Sequence, residues 1–342
     1  MTLRTRATVG LLASATVLAG GAAFPAGAAP RGGRADVQTY AAVAVVSFAG
    51  GPGSQLYQLA VGPNGDVAGA VAIGPKRNRF LTITDVRGTT AVGTLERPTS
   101  GTDVVTVDIT TGAITVIAHN GGSPVLSFNG QRVLYVKQSN SPKPGTQPIL
   151  RVPVTGGAPQ KVLSPPKGRN FDALATAQDG HTVYATASTP LQGGTQADFA
   201  RLRPPLLYSF NAASPKLVRV TTKQPLYGVS CGTLVVDLAG QHIALGCNIT
   251  QGDDPAVEIV TPAGGAVHRV PRKVGLRSVT AWSPNGQWID ASRANATPKD
   301  PFDLAQPFGT AHHKLTGLPA GTLVQSVTLV RAGGQLQPLA DR

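Results

Sequence analysis

Apolar residues along this chain come in short runs that alternate with polar positions and break at glycine-containing turns. No long segment carries the 3.6-residue period of an amphipathic helix, so the pattern predicts many short strands. Six of the runs end in a small or polar residue followed by glycine. They are Phe80–Val86 before Arg87-Gly88, Pro124–Phe128 before Asn129-Gly130, Phe171–Gln178 before Asp179-Gly180, Thr233–Leu238 before Ala239-Gly240, Val279–Pro284 before Asn285-Gly286, and Leu323–Ala332 before Gly333-Gly334. The first glycine of each turn from Gly88 to Gly286, with Gly334 as the last, gives separations of 42, 50, 60, 46 and 48 residues. That spacing matches the length of a four-stranded propeller blade.

A second hairpin series lies between those turns: Leu56–Gly65–Ile73, Val104–Gly112–Ile117, Ile149–Gly157–Leu163, Leu206–Ser214–Val220, Val257–Gly265–Val270, and a weaker member near Phe308–Leu315. Two hairpins per repeat make four strands, which predicts an all-β, six-bladed propeller. The chain opens on a second-series hairpin (55–73) and closes on a first-series hairpin (322–340). The two ends therefore complete one blade and close the ring without an orphan edge. The strand-like run Tyr40–Phe48 joins that shared blade, at a position the pattern does not fix.

Ser283-Pro284-Asn285-Gly286 reads as a three-residue hairpin loop, with Pro at the second turn position and Gly in the left-handed region. Ser283 would then oppose Gln287, and Trp282 would oppose Trp288. The same loop applied at Leu238-Ala239-Gly240 pairs Asp237 with Gln241 and, six residues further out on both strands, Cys231 with Cys247. These are the only two cysteines of the chain. Opposed cysteines in an oxidising compartment predict a disulfide.

Ser283-Pro284-Asn285-Gly286 followed by Gln287-Trp288-Ile289 resembles the TolB-like β-propeller repeat, whose turn is Ser-Pro-Asp-Gly. Ser127-Phe128-Asn129-Gly130 and Ala177-Gln178-Asp179-Gly180 keep its Asx-Gly turn, and Ala239-Gly240 loses the Asx residue. The resemblance spans about residues 55–340 and implies the propeller and a protein-binding role. The separate N-terminal α/β domain of TolB has no counterpart here, so TolB's envelope role is not carried over.

Composition refines the setting. Arg4 and Arg6 precede an uncharged run from Ala7 to Phe24, and Ala26-Gly27-Ala28 fits a signal-peptidase site, so residues 1–28 read as a cleaved export signal. Residues 29–342 are then one propeller domain, secreted or held in the cell envelope, with no membrane span after cleavage. Removing Arg4 and Arg6 lowers the net charge from +13 to +11. The basic residues form small scattered groups (Lys76, Arg77, Arg79; Arg201, Arg203; Arg269, Arg272, Lys273, Arg277) without interleaved aromatics. That distribution argues against a nucleic-acid partner and leaves a protein or an anionic envelope polymer, bound by a monomer.

Candidate chemistry is sparse. Gly228-Val229-Ser230-Cys231-Gly232 matches the G-x-S-x-G elbow, but Thr233–Val236 continue as β-formers where that motif requires a helix. His312-His313 would point to opposite faces of a strand, and Asp253-Asp254 reads as an exposed loop. Asp172 is the one acid well placed near an inner-strand start, too little for a calcium cage. Asn248-Ile249-Thr250 and Asn295-Ala296-Thr297 fit the glycosylation pattern. No catalytic, cofactor or metal residue is assigned. The expected function is a non-enzymatic binding or scaffold module, the alternative being a propeller hydrolase or lactonase acting on a small ester, lactone or peptide.

Overall fold

The computed structural model describes residues 38–48, 53–139, 143–190, 202–248, 256–270, 276–293, 303–308, 312–314, 317–318, 322–332 and 335–339. The export signal, Asp253-Asp254, the second glycosylation pattern and the Gly333-Gly334 turn lie outside these residues. Strands β1 (Thr39–Phe48), β2 (Ser54–Val61) and β3 (Val67–Arg77) form one antiparallel sheet. Blade two follows as β4 (Leu81–Arg87), β5 (Thr90–Glu96), β6 (Thr102–Asp108) and β7 (Ile114–His119). Blade three is β8 (Gly121–Leu126), β9 (Arg132–Lys137), β10 (Ile149–Pro153) and β11 (Gln160–Leu163). Blade four is β12 (Asn170–Thr176), β13 (Thr182–Ser188), β14 (Leu206–Asn211) and β15 (Val218–Arg219). Blade five is β16 (Ser230–Val236), β17 (Ile243–Asn248), β18 (Ala256–Thr261) and β19 (Ala266–Arg269). Blade six is β20 (Leu276–Trp282), β21 (Ile289–Arg293), β22 (Asp303–Ala305) and β23 (His312–Lys314). Then β24 (Thr322–Leu329) returns to β1, pairing from Ala42 opposite Leu329 to Phe48 opposite Thr322, and completes blade one in the order β24-β1-β2-β3.

The ring is therefore a closed six-bladed propeller. The shared blade takes one full strand from the C-terminal end and three from the N-terminal end. Tyr40–Phe48 fills the second place. The segment after β24 gives only β25 (Arg331–Ala332) and β26 (Gln335–Leu336), beside β4, and β27 (Pro338–Leu339), which pairs the start of β1. In blade six the outer hairpin begins at Asp303, with Phe308 in its loop rather than in its first strand.

Six apolar clusters occupy the six junctions between blades. Blades one and two, for example, share Val43, Val45, Leu56, Ile83 and Val105, and blades six and one share Leu304 with Leu59 and Val324. Middle strands such as β9 and β17 are buried on both faces, because each blade is sandwiched between two others. The outermost β11, β15 and β19 are largely exposed, which is why the second hairpin series is fainter in the sequence.

The register departs from the expected one at the turns and meets it again at the cysteines. In blade six Ser283 N donates to Trp288 O, so the loop holds four residues and Trp282 opposes Ile289 instead of Trp288. Gly286, at φ +70°, provides the left-handed residue after the Pro-Asn pair. Blade five uses the same four-residue loop, Asp237 N donating to His242 O, which offsets its strands by one residue: Thr233 faces Gly246. A β-bulge at Gly232 then absorbs the offset and brings Cys231 opposite Cys247. The two cysteines form a disulfide. Non-reduced digestion of the natively produced protein should yield a linked peptide pair two mass units lighter than its reduced parts. Opening this loop by a Cys231→Ser, Cys247→Ser double substitution should cost about 3 kcal/mol in thermal or denaturant unfolding.

Candidate functional site

The inner strands β24, β4, β8, β12, β16 and β20 run around the axis, and their last residues enclose a cavity of about 50 Å³. Its wall is apolar along Leu234, Val236 and Trp282 and polar at Thr84, Asp85, Thr176, Thr280 and Arg331. Beyond the same end, a mouth of about 570 Å³ is lined by Phe128, Gln178, Asp179, Tyr184, Ala239 and Gln335, from the first-series turns of blades three to five and the C-terminal hairpin. Leu238 lines both spaces.

The turn chemistry explains how charge reaches this axis. Asn129, Asp179 and Asn285 stand just before their turn glycines, and each accepts a hydrogen bond from a backbone N–H two residues on, at Gln131, His181 and Gln287. In blade two the same place is held by Arg87, which has no acceptor to offer. Its turn shortens to Gly88-Thr89, with Arg87 opposite Thr90. Gly88 N donates to Arg331 O, and Arg87 and Arg331 stand side by side on parallel strands. Asp85 lies near both. Its Oδ2 is 3.7 Å from Arg87 Nε and accepts a hydrogen bond from Leu126 N at 2.9 Å. Arg331 donates to Thr176 O at 3.3 Å, and its burial pulls the guanidinium pKa down, with Asp85 opposing that shift and Arg87 adding to it.

Two further acids are shielded from water, Asp290 buried and Asp172 half-buried. Asp172, at a bulge in β12, accepts from Ser188 Oγ at 2.7 Å. Burial pushes its pKa up to about 7 against that hydrogen bond and the charge of Arg169. Asp290, on β21, is pushed up to about 7 by burial and by the charge of Asp66. Between about pH 4 and pH 7 each of these acids keeps its proton in the folded chain and loses it in the unfolded one. The folded state then binds more protons, so stability falls as pH rises through this window and levels off above it. Asp290→Asn should remove part of that slope and raise the melting temperature at pH 8 by roughly 5 °C relative to its effect at pH 4. Thermal unfolding of the two proteins across that range checks it.

The sequence candidates are dispersed. Ser230 is the first residue of β16 and pairs with Asn248, so its strand starts where a nucleophile elbow would end one. His312 and His313 hold consecutive places on the outermost β23, opposite Ala305 and Leu304. Three of the basic residues are used locally: Lys76 lies 4.0 Å over the Phe48 ring, Arg79 is 3.6 Å from Asp103, and Arg269 donates at 2.8 Å to Glu258. Glu258 is fully buried, also accepts from Tyr227 N, and its pKa is raised by burial against the Arg269 pairing. Asp172 is the one singled-out acid found on an inner strand. Asp85, Arg87 and Arg331 were not singled out as site residues. The substitution of Arg for Asx before Gly88 was their only mark in the sequence. Among the described residues, no group of three or more His, Cys, Asp or Glu side chains forms a metal cluster, and no helix is long and apolar enough to cross a membrane.

No protein-family model and no curated protein sequence matches the chain. Similar solved structures include TolB from Acinetobacter baumannii, at 16% identity and a TM-score of 0.59 over 84% of this chain and 66% of that one. A chain of the nidogen/laminin complex aligns at 12% identity and 0.55, covering 84% and 97%. The putative TolB from Agrobacterium tumefaciens aligns at 11% and 0.51, covering 88% and 99%. This chain thus spans about two thirds of the first TolB. At such identities the similarity is one of fold: a six-bladed β-propeller like that of TolB.

Proposed function

We propose that the protein is an extracytoplasmic binding module whose partner, a protein or an anionic envelope polymer, docks on the mouth face of the ring. The carrying observation is the 570 Å³ opening, assembled from turns of three blades and the C-terminal hairpin beside the 50 Å³ axial cavity. Such a surface offers breadth and mixed polar and aromatic contacts. Export is supported by the signal-like residues 1–28 and by the Cys231–Cys247 bond, which persists in oxidising compartments. One fold neighbour comes from a nidogen/laminin complex, in keeping with a propeller that engages another protein.

The test compares wild type with Gln178→Trp, which fills the mouth, as baits against the producing cell's envelope fraction, with captured species identified by mass spectrometry. A partner held by wild type and lost with the variant supports the docking face. A partner indifferent to it removes that face from the proposal. Turnover of an ester or lactone panel, abolished by chelator, would instead favour the hydrolase reading.

A further inference from the structure

At the turn end of the propeller axis two guanidiniums stand close to a single carboxylate. Arg331 and Asp85 line the cavity, and Arg87 stands beside Arg331 on the adjacent strand with its Nε 3.7 Å from Asp85, so these three groups together carry one net positive charge. Like charges on adjacent strands repel, and a single carboxylate already shared with Leu126 N does not satisfy two guanidiniums. Arg87 has a side chain only 8% exposed, and its Nε and Nη2 atoms have no hydrogen-bond partner among the described residues. Of the residues lining the cavity, Thr176 and Thr280 have buried hydroxyls with no hydrogen-bond partner among the described residues, and Thr176 is only 6% exposed. Unsatisfied buried donors on this scale are costly. A space of about 50 Å³ has room for a small group of atoms beyond a single water. Asp179, on the rim of the mouth, is a further carboxylate, but its oxygens are taken up by His181 N, Thr182 N and Thr182 Oγ1, and among the described residues it forms no ion pair with Arg87 or Arg331. Asp237 is likewise engaged by His242 at 2.9 Å.

We propose that the turn end of the propeller axis is an oxyanion site, in which a single carboxylate is held by Arg331, with Arg87 beside it, and by the hydroxyls of Thr176 and Thr280. The carboxylate comes either from a free small acid or from an acidic side chain of a polypeptide seated in the mouth. The second source rests on the docking-face reading above, and the first does not. Trp282 lines the cavity and reports occupancy.

The experiment titrates the full-length protein with acetate at constant ionic strength, reading tryptophan emission and melting temperature. A parallel arm uses a capped tripeptide containing glutamate and its glutamine twin. Wild type should respond saturably to acetate, Arg331→Gln should weaken that response at least tenfold, and Thr280→Val should weaken it several-fold. Tighter binding of the glutamate peptide than of acetate, with none by the glutamine twin, assigns the side-chain source. Equal or weaker peptide binding assigns the free acid, and leaves the site intact even if the docking face fails. Absence of any saturable response in wild type, or a response equal in both variants, overturns the site. Should Arg331→Gln fail to fold, Thr280→Val decides: weakening supports the site and an unchanged titration removes it.

Discussion

Deletion of residues 322–342 should abolish cooperative folding, seen as loss of the calorimetric transition and of near-ultraviolet dichroism, with aggregation in place of a monomer. The deleted segment includes β24, the innermost strand of the closing blade. It carries Val324, Val327 and Leu329 into the junction between blades six and one. It also ties blade one to blade two, because Ser326 Oγ accepts from Ile83 N at 3.2 Å and Thr328 Oγ1 donates to Ile83 O at 3.2 Å. Burying each such apolar side chain contributes about 1.5–3 kcal/mol, so losing three approaches the ~5–15 kcal/mol that holds an ordinary domain folded. The deletion also bares the edge of β1, whose residues Ala41–Val46 are almost wholly buried. An exposed apolar edge of that kind pairs with other chains. A truncated protein melting at the wild-type temperature would show that the ring does not depend on its closing strand.

Gly93→Ala should rank among the most damaging single-methyl changes in the molecule, lowering stability by about 3 kcal/mol or more. Gly93 sits on β5, opposite the bulge that β4 makes between Ile83 and Asp85. A Cβ there would lie 1.9 Å from the Thr82 carbonyl oxygen and 2.9 Å from its carbon, so the obstruction is backbone and cannot swing aside. Gly232→Ala is the matched control: it is the bulge residue of β16, its φ is not in the left-handed region, and nothing lies within 4 Å of its added methyl. Its unfolding midpoint should stay within about 0.5 kcal/mol of wild type. Chemical denaturation of both variants separates a steric cost from a general intolerance of alanine at strand bulges.

Much of the architecture was legible because the first-series turns carry local chemistry. Asn129, Asp179 and Asn285 both mark their turns and hold them by side-chain hydrogen bonds, so composition and geometry coincide there. The place of Tyr40–Phe48 was not legible. A strand buried on both faces has no two-residue alternation, and the partner on its inner side lies at the far end of the chain. The Cys231–Cys247 pairing came out right through two offsetting departures, a loop one residue longer and a bulge at Gly232, neither of which has a sequence mark strong enough to read. The axial cluster was hidden for another reason. Arg87 and Arg331 look like ordinary surface cations in sequence, and only the parallel bridge between β25 and β4 sets them side by side.

The division of blade one also sets an order of events. A chain emerging from its N-terminal end presents β1, β2 and β3 early, but the inner edge of β1 has no partner until residues 322–329 arrive. Pairing across such a sequence separation is slow, since the entropy of the intervening loop is lost before the contact repays it. Ring closure therefore cannot precede the arrival of β24. Any process acting on the nascent chain, whether threading through a pore or capture by a chaperone, has the whole of that interval in which to work, and the arrival of β24 ends it.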